Sequence, residues 1–304
     1  MRLLGKRRKL RPRAEPDCTG VVPGDPLLGA KRELRLLSRG GMLWKTKDFK
    51  GARLAAVDGE IGHLKDLYFD EQTWTIRYLV ADTGTWLPNR QVLLSPFAVT
   101  KIDLKPHARI SVHLTRKQIE ESPSIEEHRP VSRRFEAEYL QYYGWPDYWP
   151  GPLLWGPVEA PWAYLPQKLQ TFPRRNTREQ DEDSHLRSLQ EVSGFSGYQI
   201  QALDQLFGHV EFFIIDDRSW AIRYLVCDTR AWLPGKHFLL APQWTAWLSW
   251  SDSRVYIDLD RESIRHAPEY DPSVELTREY EEKLFAHYNR EPYWAHELAG
   301  RQQG

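Results

Sequence analysis

The chain has 304 residues, of which 41% are hydrophobic and 28% charged, and its formal net charge is zero. Such a length holds about two domains, and a neutral chain has no global field to draw in nucleic acid or anionic lipid. Its two cysteines, Cys18 and Cys227, give neither a disulfide framework nor a zinc spacing, and no apolar run reaches the roughly 18–20 residues of a membrane-spanning helix.

In chain order, residues 1–41 open with a basic run (Lys6, Arg7, Arg8, Lys9, Arg11, Arg13) and no apolar segment of secretory type follows it. A disordered tail is expected, with weak contact to phosphate or acidic lipid as its sharper reading. Residues 42–143 read as a first module. ARLAAV (52–57) leads through Asp58-Gly59, a hairpin signal, into IGHLKDLYFD. TIRYLVAD (75–82) is apolar on both sides of a strand, which predicts cover on both faces. VLLSP and RISVHL add further short strands, and this many strands between turn signals predict a small barrel. Thr115 and Gln118 form a capping-box pair ahead of a short helix that stops by Pro123. Ser132 is placed to cap a second helix, on which Phe135, Tyr139, Tyr142 and Tyr143 recur at helical spacing.

Residues 144–187 form a strap and then a charged linker. The stretch 144–167 carries Trp145, Trp149, Trp155 and Trp162 among prolines, which forbid a regular helix or a central strand. A flexible linker would be rich in Gly and Ser instead, so an ordered, extended strap is expected. Two readings of its rings stand side by side. Tyr142, Trp145, Trp149, Trp155 and Trp162 are contact anchors for a protein partner, or they glue the modules together.

The second module (188–294) repeats the first, and 295–304 is a tail. Sliding the chain by 146 positions aligns 61–96 with 207–242, and 17 of those 36 positions are identical. After one residue of slippage, 131–149 aligns with 276–294. The repeats are expected to pack about a pseudo-two-fold axis, with their terminal Tyr/Phe helices buried between them.

Residues kept in both copies serve the module. They are Gly62/Gly208, His63/His209, Asp70/Asp216, Trp74/Trp220, Arg77/Arg223, Asp82/Asp228, Trp86/Trp232 and Pro88/Pro234. Among them only His63, Asp70, Arg77 and Asp82 form a conceivable catalytic or metal set, and no two ligands lie at i, i+2 or i, i+4 spacing. A satisfied structural network is therefore expected, with no catalytic residue, metal or cofactor. The remaining histidines, His107, His113, His237 and His287 among them, do not recur and are expected to form no cluster. Cys227 reads as a buried small hydrophobe. Glycine loops for phosphate, nucleophile elbows and CxxC motifs do not occur.

The motif GHLKDLYFDEQTWTIRYLVADT with a following VLLSP, and its copy GHVEFFIIDDRSWAIRYLVCDT with FLLAP, resembles the PRC-barrel domain. That family is named for the cytoplasmic domain of the photosynthetic reaction-centre H subunit, and it includes the C-terminal domain of ribosome-maturation factors. The resemblance covers both modules, and the tails resemble those of bacterial tandem PRC-barrel proteins. It implies a mainly β chain of two small, strongly bent barrels, each followed by short helices, and a non-enzymatic role in docking or assembly. A cytoplasmic location is expected, with a peripheral place at an inner-membrane, electron-transfer complex as the alternative. Nucleic acid is not an expected partner.

Overall fold

The computed structural model of the chain describes residues 41–88, 90–124, 131–149, 151–164, 189–229 and 235–295. The expectations for the basic tail, the charged linker, the C-terminal tail and the repeat residues Trp232 and Pro234 fall outside the described residues.

The chain is mainly β. The first sheet is built from β2 (Arg53–Ala56), β3 (Gly59–Asp70), β4 (Thr75–Asp82), β5 (Gln91–Leu94), β6 (Val99–Asp103) and β7 (Arg109–Val112), in the order β5-β4-β3-β2-β7-β6. The second repeats that path with β9 (Gln199–Gln201), β10 (Leu206–Asp216), β11 (Ile222–Asp228), β12 (His237–Leu240), β13 (Thr245–Ser249) and β14 (Arg254–Ile257). Both sheets are mixed: β2 runs parallel to β7 and β9 to β14, and the other ladders are antiparallel. Among the described residues each path is open, with no pairing between its end strands.

A seventh strand comes to each sheet from the other module. β1 (Leu43–Lys45) pairs with β10, and β8 (Gln190–Glu191) pairs with β3. The exchange is reciprocal: Lys45 lies opposite Ile214, and at the matching positions Glu191 lies opposite Tyr68. Each arm covers main-chain groups that an edge would otherwise leave open.

The two-fold relation is visible in single bonds. Thr75 and Ala221, equivalent residues, face each other in an isolated antiparallel bridge. The Ile76 amide donates to the Trp220 carbonyl at 2.8 Å, and the Ile222 amide donates to the Trp74 carbonyl at 2.7 Å. Both tryptophans adopt a left-handed backbone, with φ of 49° and 60°. That conformation costs a bulky residue about 1–3 kcal/mol. It turns the carbonyl across the axis, and in return the Trp220 ring is buried and the Trp74 ring half-buried against the core. Trp74 stacks on Phe69 and meets Phe195 and Phe213 edge-on at 5.9 and 6.2 Å, so the seam is an aromatic cluster drawn from both modules.

The short helices start where side-chain caps allow. Thr115 and Gln118 make the full capping box of α2 (Arg116–Glu120), where the α-helices count from α1 (Thr46–Phe49). Ser132 caps α3 (Arg133–Tyr143). Beyond α4 (Val192–Phe195), Asp260 caps α5 (Arg261–Arg265) and Thr277 caps α6 (Arg278–His287). One expectation is corrected here. α3 and α6 pack on their own modules rather than between them: Tyr139 donates to the Leu93 carbonyl at 2.8 Å, and the glutamates of both helices take hydroxyls from β4 and β11. Those carboxylates need partners on their own strands, and the seam is already filled by rings.

Candidate functional site

The residues written twice are engaged mostly in structural contacts. Gly62 and Gly208 sit where β3 and β10 cross the ends of β4 and β11. A Cβ at these positions would lie 2.0 Å from the Asp82 carbonyl oxygen and 2.4 Å from that of Asp228, so only glycine fits. The Asp82 side chain accepts the Gly84 amide at 3.0 Å, and Thr83 and Thr229 hydroxyls donate to carbonyls of the following turn. Trp86 lies under the Arg116 guanidinium, and Pro88 is exposed.

Arg77 is 1% exposed. Its guanidinium donates to the Leu154 carbonyl at 2.6 Å and to the Thr73 hydroxyl at 3.0 Å, and pairs with Asp70 at 3.5 Å. The ring of Tyr148 covers it at 3.8 Å. Arg223 repeats the pattern with Asp216 at 2.8 Å, the Ser219 hydroxyl at 3.1 Å and the ring of Tyr293 at 3.9 Å. Burial opposes ionisation of Asp216, yet Arg223, the Arg218 amide and the Ser219 hydroxyl together hold its carboxyl below the usual carboxylate range. Burial draws the Arg77 pKa down from its ordinary value.

A further duplicated pair of buried charges lies on the helices. Glu136, 1% exposed, accepts from Tyr78 at 3.1 Å, from Tyr148 and from Arg133 at 2.9 Å. Glu281 accepts from Tyr224 at 2.7 Å and Tyr293 at 2.9 Å, with Arg278 at 3.2 Å. Burial pushes the Glu136 carboxyl up to about 7, and Glu281 moves the same way. The repeat held the signal for this site, since both glutamates and their Arg and Tyr partners recur in the aligned stretches 131–149 and 276–294. The reading of the helices as aromatic stripes passed over it.

A pH effect follows from Glu136. Its folded pKa lies above the ordinary value of 4.5, so the folded state holds the proton more tightly. The contribution is complete below about pH 4.5 and is lost as pH rises through about 7. The stability of the native chain relative to Glu136→Gln is expected to fall by on the order of 3 kcal/mol across that window. Denaturant unfolding of both proteins at pH 4.5 and pH 8 checks it, and a constant difference would remove the raised pKa.

The set His63, Asp70 and Asp82 is not brought together. His63 is the cross-strand partner of Asp82 at one end of β4, while Asp70 pairs with Thr75 at the other, roughly 20 Å away at the rise of a strand. The expectation that His237 joins no cluster is overturned. Its Nε2 lies 2.9 Å from Glu211 Oε2, and donor atoms of Glu211, Asp228 and His237 all fall within 4.8 Å of one another. Module 1 has Lys65 and Gln91 at the places of Glu211 and His237, so a search for residues kept in both copies discards them. His209, across the ladder from Asp228, has its Nε2 at 3.9 Å from Asp228 Oδ2.

The strap rings divide. Trp155 is 1% exposed, with its indole nitrogen donating to the Ser219 carbonyl of module 2 at 2.7 Å. As an exposed anchor it is corrected: it ties the strap into the core. Trp145 stacks on Tyr143 and Phe97, and Trp149 and Trp162 lie under Arg133 and Arg218. These three rings are half-buried, and Tyr142 is 41% exposed. Cys227 is a fully buried free thiol. No family model matches the chain, and no curated protein matches it.

Proposed function

We propose that the chain is a non-enzymatic protein–protein assembly module built from two PRC-barrel-like repeats. The observation that carries this reading is the fate of the duplicated polar groups. Arg77 with Asp70, Arg223 with Asp216, and the two buried glutamates are each engaged by neighbours in their own module and, for Arg77 and Glu136, in the strap. Tyr142 on α3 and the half-buried strap rings Trp149 and Trp162 are the aromatic side chains offered to the outside, and interface energy concentrates on such rings. The mixed strand path, with β4 and β11 buried on both faces, supports the strongly bent barrel that the resemblance implies. Among the described residues no helix is long and apolar enough to cross a membrane.

Affinity capture of the full chain from its source cell, with soluble and membrane fractions kept apart, tests the proposal. A stoichiometric protein partner is expected, retained by the native chain and lost from a Tyr142→Ala/Trp149→Ala variant that still folds and unfolds cooperatively. Retention in the membrane fraction alone would select the peripheral-complex form. Empty eluates from both fractions would overturn the assembly reading.

A further inference from the structure

We propose that Glu211, Asp228 and His237 form a binding site for one divalent transition-metal cation of the zinc type. The placement comes from the sheet. His209, Asp228 and His237 are direct cross-strand neighbours on β10, β11 and β12, and residues directly opposite in a ladder present their side chains on one face. Glu211 lies between Val210 and Phe212, where the β10–β11 register shifts. A bulge re-aims the side chain it carries, and here the carboxylate meets the imidazole of His237.

The donor set suits such a cation. One imidazole nitrogen and two carboxylate oxygens are ligand types of zinc and its neighbours, and three protein ligands with a position open to water is a common zinc arrangement. Tetrahedral bonds of about 2.0–2.1 Å place ligand atoms roughly 3.3 Å apart. The His237–Glu211 separation of 2.9 Å and the 4.8 Å limit on the whole set bracket that spacing. Asp228 is 1% exposed, whereas the side chains of His237 and Glu211 are 19% and 29% exposed, so the site has a fixed floor and an accessible rim. The His237 main chain is held on both sides, by Asp228 in the ladder and by the Tyr270 amide, which donates to its carbonyl at 2.9 Å.

The duplication supplies an internal control. The same row is built in module 1 by His63, Asp82 and Gln91, with Lys65 at the matching register shift of β3. An ammonium stands there in place of a carboxylate, and an amide in place of an imidazole. The fold makes the row twice, and the sequence makes it a ligand set once.

Titration of the untagged, chelator-stripped full chain with zinc ions, read by calorimetry and by competition with a chromogenic chelator, is the test. One zinc per chain is expected. His237→Gln and Glu211→Lys, which install the module 1 residues, are each expected to weaken binding by about tenfold or more, with stripped melting temperatures close to the native value. The reciprocal Lys65→Glu/Gln91→His variant is expected to bind a second ion. Binding below about a tenth of an equivalent, or binding that both His237→Gln and Glu211→Lys leave unchanged, would overturn the proposal. The result is independent of partner capture, so either reading can fail alone.

Discussion

Replacing Trp155 with alanine is expected to destabilise the chain by about 3–5 kcal/mol, the range for deleting a buried large aromatic. The ring packs edge-on to Phe97 at 5.0 Å and lies 4.8 Å from the Arg77 guanidinium. Its removal opens a cavity and leaves the Ser219 carbonyl without the indole donor. The local chain has little freedom to collapse into that space. Gly156, with φ of 71°, follows the ring, and a Cβ there would stand 2.5 Å from the Asp147 carbonyl oxygen. Trp149→Ala, which removes a half-buried ring, is the control and is expected to cost about 1 kcal/mol. Denaturant unfolding of both variants measures the contrast. A loss below about 1 kcal/mol for Trp155→Ala would mean that the strap is not part of the core, and would restore the ring to the partner surface.

What the sequence made legible was local or repeated. The helix starts at Thr115 and Ser132 were legible, because a cap is decided within one turn. The internal repeat located the strands and the close approach at Gly62. Contacts that join distant segments were not legible. Asp58, read as a turn residue, and its copy Asp204 accept the first amides of α2 and α5 at 2.8 and 3.0 Å. Nothing in the turn announces a donor that arrives many residues later. The exchange of β1 and β8 was equally hidden, since strands of three and two residues carry no periodicity.

The candidate site shows a different limit. Asking which residues recur finds what the fold needs, and so finds Arg77, Asp70 and the left-handed tryptophans. It is blind by construction to a function that only one copy carries. Glu211 and His237 are such residues: their differences from Lys65 and Gln91 were the signal, and only the ladder registers turn two isolated substitutions into one site.

The second large effect is expected at Arg77. Arg77→Ala should destabilise by about 3–5 kcal/mol, because one partner of a buried pair is removed and the other stays. Asp70 keeps its charge with a side chain 14% exposed, and the Leu154 carbonyl loses its donor. Arg77→Lys keeps the charge, but one ammonium cannot reproduce the planar fork that reaches Leu154, Thr73 and Asp70 together. It should recover only part of the loss. Arg77→Met/Asp70→Asn removes both charges at similar volume, and it is expected to be more stable than Arg77→Ala, since no uncompensated carboxylate remains. Arg223→Ala should cost less, because its side chain is 9% exposed against 1% for Arg77. Unfolding of the four variants at one pH decides the matter. A loss below about 1 kcal/mol for Arg77→Ala would show that the guanidinium is not the peg on which the strap hangs.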